Sequence, residues 1–236
     1  MNNNKKITIV IPIFNESATI KHSLTVIHNE IKKIPHIDFN ILLVNDGSSD
    51  NTLDVLKEIP LSQLTTNILN FTRNFGKEAA IYAGLEYSKQ SDAVIVMDSD
   101  LQHPPFLIEK MIIFWLNGSE VVEGCKLTRG RESLISNLFA KSFYFVFKKL
   151  THFDLKNHSD FKLLDRKVVI AYCALPERKR FFRGLISWLG FQRPKSFLMF
   201  LNVNMGSRYG HGTNYFALHF MHLPVFLRLL CISLAF

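Results

Sequence analysis

The chain has 236 residues, of which 47 % are hydrophobic and 20 % charged, with a formal charge of +8 and 21 phenylalanines. Such a length and apolar content suit one large α/β domain or two small ones and exclude a disordered chain. The positive balance and abundant Phe fit an anionic partner, whether membrane headgroups, phosphorylated ligands or nucleic acid, without choosing among them. Cys125, Cys173 and Cys231 form no CxxC pair. This argues against a disulfide scaffold or a zinc site and for a reduced, cytoplasmic protein.

In chain order, "MNNNKKITIVIPIFNE" opens with Lys5 and Lys6 before an apolar run. The run is short, contains Pro12 and lacks a small-residue cleavage site, so it reads as a buried first strand rather than an export signal. In "ESATIKHSLTVIHNEIKKI", Ile20, Leu24, Ile27 and Ile31 fall at helical spacing. A second continuous apolar run, "FNILLVND", follows, and then "SSDNTLDVLKEI", which begins with capping residues and continues as a helix. "GKEAAIYAGLEYSK" predicts a third helix with a small-residue face, and "DAVIVMD" a third strand. Continuous apolar runs are the mark of strands buried on both faces. Their alternation with helices predicts an open, mostly parallel sheet flanked by helices, whose ligands sit beyond the carboxyl ends of the strands.

That rule gathers the polar strand ends at one edge. The first strand delivers Asn15 and Glu16, the second Asn45, Asp46, Gly47 and Ser48, the third Asp98, Ser99 and Asp100. Singly, "NES" is an ordinary helix cap and "NDGS" an ordinary turn. Three together after buried strands favour a site. Asp98 and Asp100 cannot both be buried unpaired, because desolvating two carboxylates is too costly. Mg²⁺ or Mn²⁺ relieves that cost and commonly shares such ligands with substrate phosphates, so the pair reads as a metal-assisted diphosphate site.

The C-terminal half changes character. "KLTRGRESLISNLFAKSFYFVFKKL" is basic at both ends and rich in Phe. "PERKRFFRGLISWLGF" sets Arg178, Lys179, Arg180 and Arg183 beside Phe181, Phe182, Leu185, Ile186 and Trp188. Cations next to a Phe/Trp-rich face predict helices lying in a membrane interface, from about residue 133 onward, with ordinary core helices carrying solvated basic ends as the alternative. The final "NYFALHFMHLPVFLRLLCISLAF" carries His219, His222, Pro224 and Arg228 and falls short of a clean spanning helix.

The stretches "IVIPIFNE", "LLVNDGSSDNT", "NFGKEAAIYAGLEYS", "VMDSDLQHPP" and "SDFKLLDRKVV", in this order, resemble family 2 glycosyltransferases of the GT-A fold. More narrowly they resemble the polyprenyl-phosphate sugar transferases, from about Ile7 to Phe191. The resemblance implies a catalytic domain over residues 1–191 and a divergent tail over 192–236. It implies an inverting transfer of a hexose from a UDP- or GDP-sugar to a polyprenyl phosphate, with Mg²⁺ or Mn²⁺, at the cytoplasmic face of the membrane. Pro12, Asn15, Glu16, Asp46 and Asp98 would bind the nucleotide, with Gln102 in the sugar-facing loop. Asp100, with Asp98, would hold the metal. Asp160 matches the family's acidic residue near the acceptor, and Arg129 and Arg131 lie where such enzymes gather charge for phosphate.

An alcohol acceptor needs a general base, whereas a phosphate acceptor is already ionised near neutral pH, with a second pKa of about 6. With a lipid phosphate, Asp160 would position groups rather than take a proton. A saccharide acceptor, with Asp160 as base, and a non-catalytic nucleotide-binding chain stay open as alternatives. A nucleic-acid partner rests on charge alone and is set aside; a homo-oligomer is left open. Two departures from the family pattern stand out. Asn45 replaces the common first aspartate of "DDGS", and a single imperfect apolar segment follows the domain where bacterial relatives carry two spanning helices.

Overall fold

The computed structural model describes residues 4–59, 65–124 and 159–194. All of these fall in one unit of the chain, Met1–Leu201. Six strands form one sheet: β1 Lys5–Ile13, β2 Ile37–Asn45, β3 Thr65–Asn70, β4 Ala93–Val96, β5 Val121–Glu123 and β6 Lys162–Asp165. The helices are α1 Ile20–Ile31, α2 Thr52–Glu58, α3 Lys77–Tyr87, α4 Leu107–Leu116, α5 Arg166–Ala174 and α6 Phe182–Trp188. The spatial order is β3-β2-β1-β4-β6-β5. β1, β2, β3 and β4 run parallel, with Ile9 opposite both Ile41 and Ile95. β6 runs antiparallel to both β4 and β5. The α/β expectation holds, and the sheet is parallel in its first four strands.

The continuous apolar runs form strands because both faces of the sheet are covered. Ile7, Ile9, Ile11 and Ile13 of β1 pack on one face with Ile20, Leu24, Ile27 and Ile31 of α1 and with Leu107, Ile108 and Met111 of α4. Val10, Leu42, Val44, Val94 and Val96 meet the other face, against α3, α5 and α6. The 3.6-residue spacing read in α1 is therefore the spacing that is buried. A fully buried Ile, Leu or Val contributes about 1.5–3 kcal/mol relative to exposure, so this double layer is the main stabiliser of the domain.

Two glycines let the layers close. Gly84 sits in mid-α3, where a Cβ would fall 2.3 Å from Val10 Cγ1, so its absence lets α3 lie directly on β1. Gly47, with φ +62°, brings the loop after β2 against the loop after β3, where a Cβ would meet Arg73 main chain at 2.2 Å.

At the far end of the sheet, Lys162 of β6 pairs with Glu123 of β5, both fully buried, and Arg193 Nη1 lies 3.5 Å from the same carboxylate. Burial lowers the Lys162 pKa, opposed by Glu123. Gln192 lies along β5, accepting main-chain N–H groups from Glu120 and Val121.

The "PERKRFFRGLISWLGF" stretch departs from the interfacial-helix expectation. Phe182 and Ile186 of α6 are buried in the core. Arg180 stacks on Tyr82, 3.9 Å from the ring centroid, and donates to the carbonyls of Tyr172 and Leu175. Arg183 is turned onto Asp160. Two of the four cations thus serve the fold, while Arg178, Lys179 and Trp188 are exposed. Among the described residues no helix is long and apolar enough to cross a membrane. The remaining basic, Phe-rich stretch and the final apolar segment lie outside the described residues, as does most of the 192–236 tail.

Candidate active site

The carboxyl ends of β1, β2 and β4 and the start of α3 enclose a cleft of about 330 Å³. Its lining includes Pro12, Glu16, Asp46, Lys77, Asp98 and Asp100. The strand-end rule thus brings together residues from four separate stretches of the chain.

Asp46 is buried, and its two carboxylate oxygens accept the main-chain N–H groups of Phe75 at 2.7 Å and Gly76 at 2.9 Å. It therefore fixes the loop that starts α3 and, through it, Lys77. Asn15, at φ +55°, donates its main-chain N–H to the Ser48 hydroxyl oxygen at 2.9 Å and accepts the Ser49 N–H at 2.9 Å on its side-chain oxygen. It ties the β1 and β2 ends together and does not line the cleft. Glu16 does line it; its main-chain N–H donates to the Thr52 hydroxyl, and its carboxylate accepts the hydroxyl of Thr19.

Asn45 is buried beneath the site. Its amide donates to Asn70 Oδ1 at 2.7 Å, and its carbonyl accepts the Ser48 hydroxyl. The residue that departs from the family pattern is a tie between β2, β3 and the following loop.

At the end of β4, Asp98 Oδ1 lies 2.6 Å from Lys77 Nζ. Asp100 is exposed and accepts the Gln102 N–H on Oδ1 at 3.0 Å, helped by the left-handed turn at Leu101, φ +55°. Gln102 itself is exposed and outside the cleft lining. His103 contacts the Ser159 hydroxyl at 2.8 Å, which links this loop to the start of β6.

The densest electrostatics lie one step deeper. Asp160, with its side chain only 6 % exposed, receives Arg183 Nε on Oδ1 at 2.5 Å and Arg183 Nη2 on Oδ2 at 2.7 Å. Lys77 Nζ reaches the same Oδ2 at 2.8 Å. Burial pushes the Asp160 pKa up, but Arg183 and Lys77 more than offset it and hold the carboxyl down at about 2. Burial alone would lower the Lys77 pKa; Asp160 and Asp98 raise it instead. Glu78, next along α3, accepts the Phe182 N–H at 2.8 Å and so seats α6.

Sequence reasoning singled out Pro12, Glu16, Asp46, Asp98 and Asp100, all of which the fold brings to one cleft. Asp160 joins them through Lys77. Arg129 and Arg131 lie outside the described residues. Lys77 was missed as a site residue, although "NFGKEAAI" follows a strand and opens a helix, where a side chain projects back over the sheet edge. The sequence pattern predicts Arg183 as a lipid-facing cation, whereas the structure turns it onto Asp160. Phe14, 45 % exposed at the rim of the cleft, was not singled out.

The donor set fits a divalent cation. Asp98 and Asp100 offer hard carboxylate oxygens at one cleft, and two carboxylates leave room for the phosphates and waters that Mg²⁺ ordinarily keeps. Among the described residues no cluster of three or more acidic, His or Cys side chains gathers into a protein-only cage.

The fold and this cleft define an α/β architecture whose site lies at the carboxyl ends of the parallel strands. Residues 8–173 match the family described as Glycosyl transferase family 2, and the chain belongs to that family. An uncharacterized glycosyltransferase of Synechocystis sp. is 39 % identical over 83 % of this chain and 60 % of its own length. A bactoprenol glucosyl transferase of Shigella phage SfX is 35 % identical over 79 % of this chain and 61 % of its own. The chain thus spans about six-tenths of the length of these relatives. Among solved structures, a mannosyltransferase from Pyrobaculum calidifontis, in complex with GDP-Man and Mn²⁺, superposes with a TM-score of 0.55 at 16 % identity. That match covers 81 % of this chain and 54 % of the other. Mannosyl-3-phosphoglycerate synthase from Rubrobacter xylanophilus superposes at 0.52 and 19 % identity, over 70 % and 54 % of the two chains. These likenesses carry the fold.

Proposed function

We propose that this chain is the catalytic part of a transferase that moves a hexose from a UDP- or GDP-sugar to a polyprenyl phosphate at the cytoplasmic face of the membrane. The observation that carries the acceptor class is the state of Asp160. A general base for a hydroxyl needs a pKa near the working pH and a free lone pair facing the substrate. Asp160 has a carboxyl held at about 2 and both oxygens occupied by cations. It suits an acceptor that arrives already ionised. The relatives named bactoprenol glucosyl transferases, after a polyprenol, support the same reading.

In this reading the cleft takes the nucleotide diphosphate sugar, with Pro12, Glu16 and Asp46 at the nucleotide end. Asp98 and Asp100 would hold Mg²⁺ or Mn²⁺, which when bound neutralises charge on the departing diphosphate. Lys77, fixed by the Asp46-held loop, adds a cation at the junction of donor and acceptor. Residues 1–191 form the catalytic domain. Residues 192–236, the segment from about 133 and the exposed Arg178, Lys179 and Trp188 make the membrane association.

The test is transfer of radiolabelled sugar from a panel of UDP- and GDP-hexoses to polyprenyl phosphate in mild detergent, with Mn²⁺ or Mg²⁺ and an Asp100→Ala control. Lipid-extractable, metal-dependent product that disappears in the control is the expected result. Transfer to a saccharide instead, or nucleotide binding with no transfer to either acceptor, would overturn it.

A further inference from the structure

Lys77 and Arg183 come from different helices, α3 and α6, and converge on one oxygen of a buried carboxylate. Two cations drawn so close repel each other unless a fixed anion holds them, and Asp160 is that anion. Yet it does not consume them. The guanidinium spends Nε and Nη2 on Asp160, which leaves Nη1 with no protein partner among the described residues. The Lys77 ammonium has three N–H groups, of which two point at Asp98 and Asp160. The side chains are 41 % and 44 % exposed, whereas the Asp160 side chain is 6 % exposed. The anion is inside and the unused donors are outside.

Asp98, 2.6 Å from Lys77, brings the four side chains to neutrality, so the unused outward donors carry the site, and the guanidinium fork matches the oxygens of a phosphate. Arg183 is not among the residues lining the donor cleft, while Lys77 is. The pair therefore straddles the cleft's inner wall and the surface beside α6.

We propose that Lys77 and Arg183, held together by Asp160 as a positioning residue, form the binding site for the phosphate group of the acceptor. The donor diphosphate offers similar oxygens, and the acceptor is preferred because Arg183 stands outside the donor cleft. This inference rests on the phosphate-acceptor reading above. It makes Asp160 the organiser of an anion site, its own charge outweighed by the two cations it holds.

The experiment uses the full chain in mild detergent. Farnesyl phosphate and, separately, UDP with Mn²⁺ are titrated by calorimetry into the wild type, Arg183→Gln and Arg183→Lys. Farnesyl phosphate should bind Arg183→Gln about ten- to a hundredfold more weakly, as for loss of a charge-assisted hydrogen-bonded pair. Arg183→Lys should recover part of that loss by restoring charge without the fork. UDP affinity should stay within about twofold in all three. Transfer assays should show the same change in KM for the lipid phosphate and a smaller one in kcat. Equal farnesyl phosphate affinity in all three proteins would overturn the site, as would no binding to the wild type. A parallel fall in UDP affinity would overturn it too and give the cations to the donor. Melting curves accompany each variant; if Arg183→Gln is unfolded, Arg183→Lys decides alone. Wild-type protein that binds farnesyl phosphate through Arg183 but transfers no sugar to it would sink the functional reading while the site stands.

Discussion

Lys77 and Asp160 are 83 residues apart in sequence and 2.8 Å apart in space. The same ammonium lies 2.6 Å from Asp98, so one side chain spans from the strand-end carboxylates at the cleft to the buried carboxylate beneath α6. Replacing Lys77 by Met keeps the length of the stem and removes the charge. Asp160 would keep its Arg183 partner, and Lys77 is partly exposed, so stability should fall by only about 1 kcal/mol. Activity should fall much further, by at least about a hundredfold in kcat/KM, because the cation at the junction of the acceptor phosphate and the departing diphosphate is lost. Thermal melting and transfer kinetics on the same preparation check this. A variant that melts normally and transfers sugar at the wild-type rate would remove Lys77 from the site.

Asp160 also sets a pH dependence. Its folded carboxyl is held at about 2, below the ordinary unfolded value near 3.9. Its ion pairs therefore contribute their full stabilisation above about pH 4, and that contribution disappears as pH falls through about 2. The amount is on the order of 2 kcal/mol. Urea unfolding at pH 6 and pH 3 should show a smaller acid loss in Asp160→Asn than in the wild type. Transfer activity, in contrast, should show no ionisation of Asp160 in its working range. Its acid limb should follow the acceptor phosphate, near pH 6, and remain in the residual activity of Asp160→Asn.

The fold was readable because its signals are local. The buried runs ending in Asn45 and Asp98 needed only their apolar continuity, and α1 only its spacing. β6 was not visible in that way. "KLLD" is short, lies beyond a long connection and carries Lys162, whose burial depends on Glu123 from another strand. No periodicity encodes such a pairing. The site divides along the same line. Asp98 and Asp100 announce themselves at a strand end, whereas Lys77 gains meaning only from Asp160, and Arg183 only from the direction α6 faces. The cations of "PERKRFFRG" read as membrane-facing because their carbonyl, ring and carboxylate partners belong to other elements.

Gly84 tests the packing that carries the site. A methyl at this position would fall 2.3 Å from Val10 Cγ1 and 3.3 Å from Val44 Cγ2. The helix must then lift from β1, since the contact is with branched, fully buried side chains. Gly84→Ala gains about 1 kcal/mol of helix propensity but should still lose about 1–3 kcal/mol net through overpacking. Lifting α3 also moves Lys77, so nucleotide affinity should weaken with stability. Denaturant midpoints and UDP titration of Gly84→Ala check both. An unchanged midpoint would mean that the sheet and helix have slack there.

Asn45→Asp restores the residue common in the family and asks whether the departure affects the donor or the fold. Asn45 is 1 % exposed and lies below the cleft rather than on its lining. Its amide donates to Asn70 Oδ1 at 2.7 Å, so an aspartate would set two acceptors face to face until Asn70 turns its amide round. The buried carboxylate would then have an N–H donor from Asn70, the Ser48 hydroxyl and, at 3.4 Å, the Ser48 main-chain N–H. Neutral donors compensate a buried charge only in part, so stability should drop by about 1–3 kcal/mol at pH 7 and less at pH 4, where the new carboxyl gains a proton. Nucleotide affinity should stay within about threefold, because the strand-end geometry around Asp46 rests on main-chain bonds that the change leaves in place. Urea midpoints at the two pH values and UDP titration give the answer. A large gain in affinity at unchanged stability would show instead that position 45 reaches the donor directly.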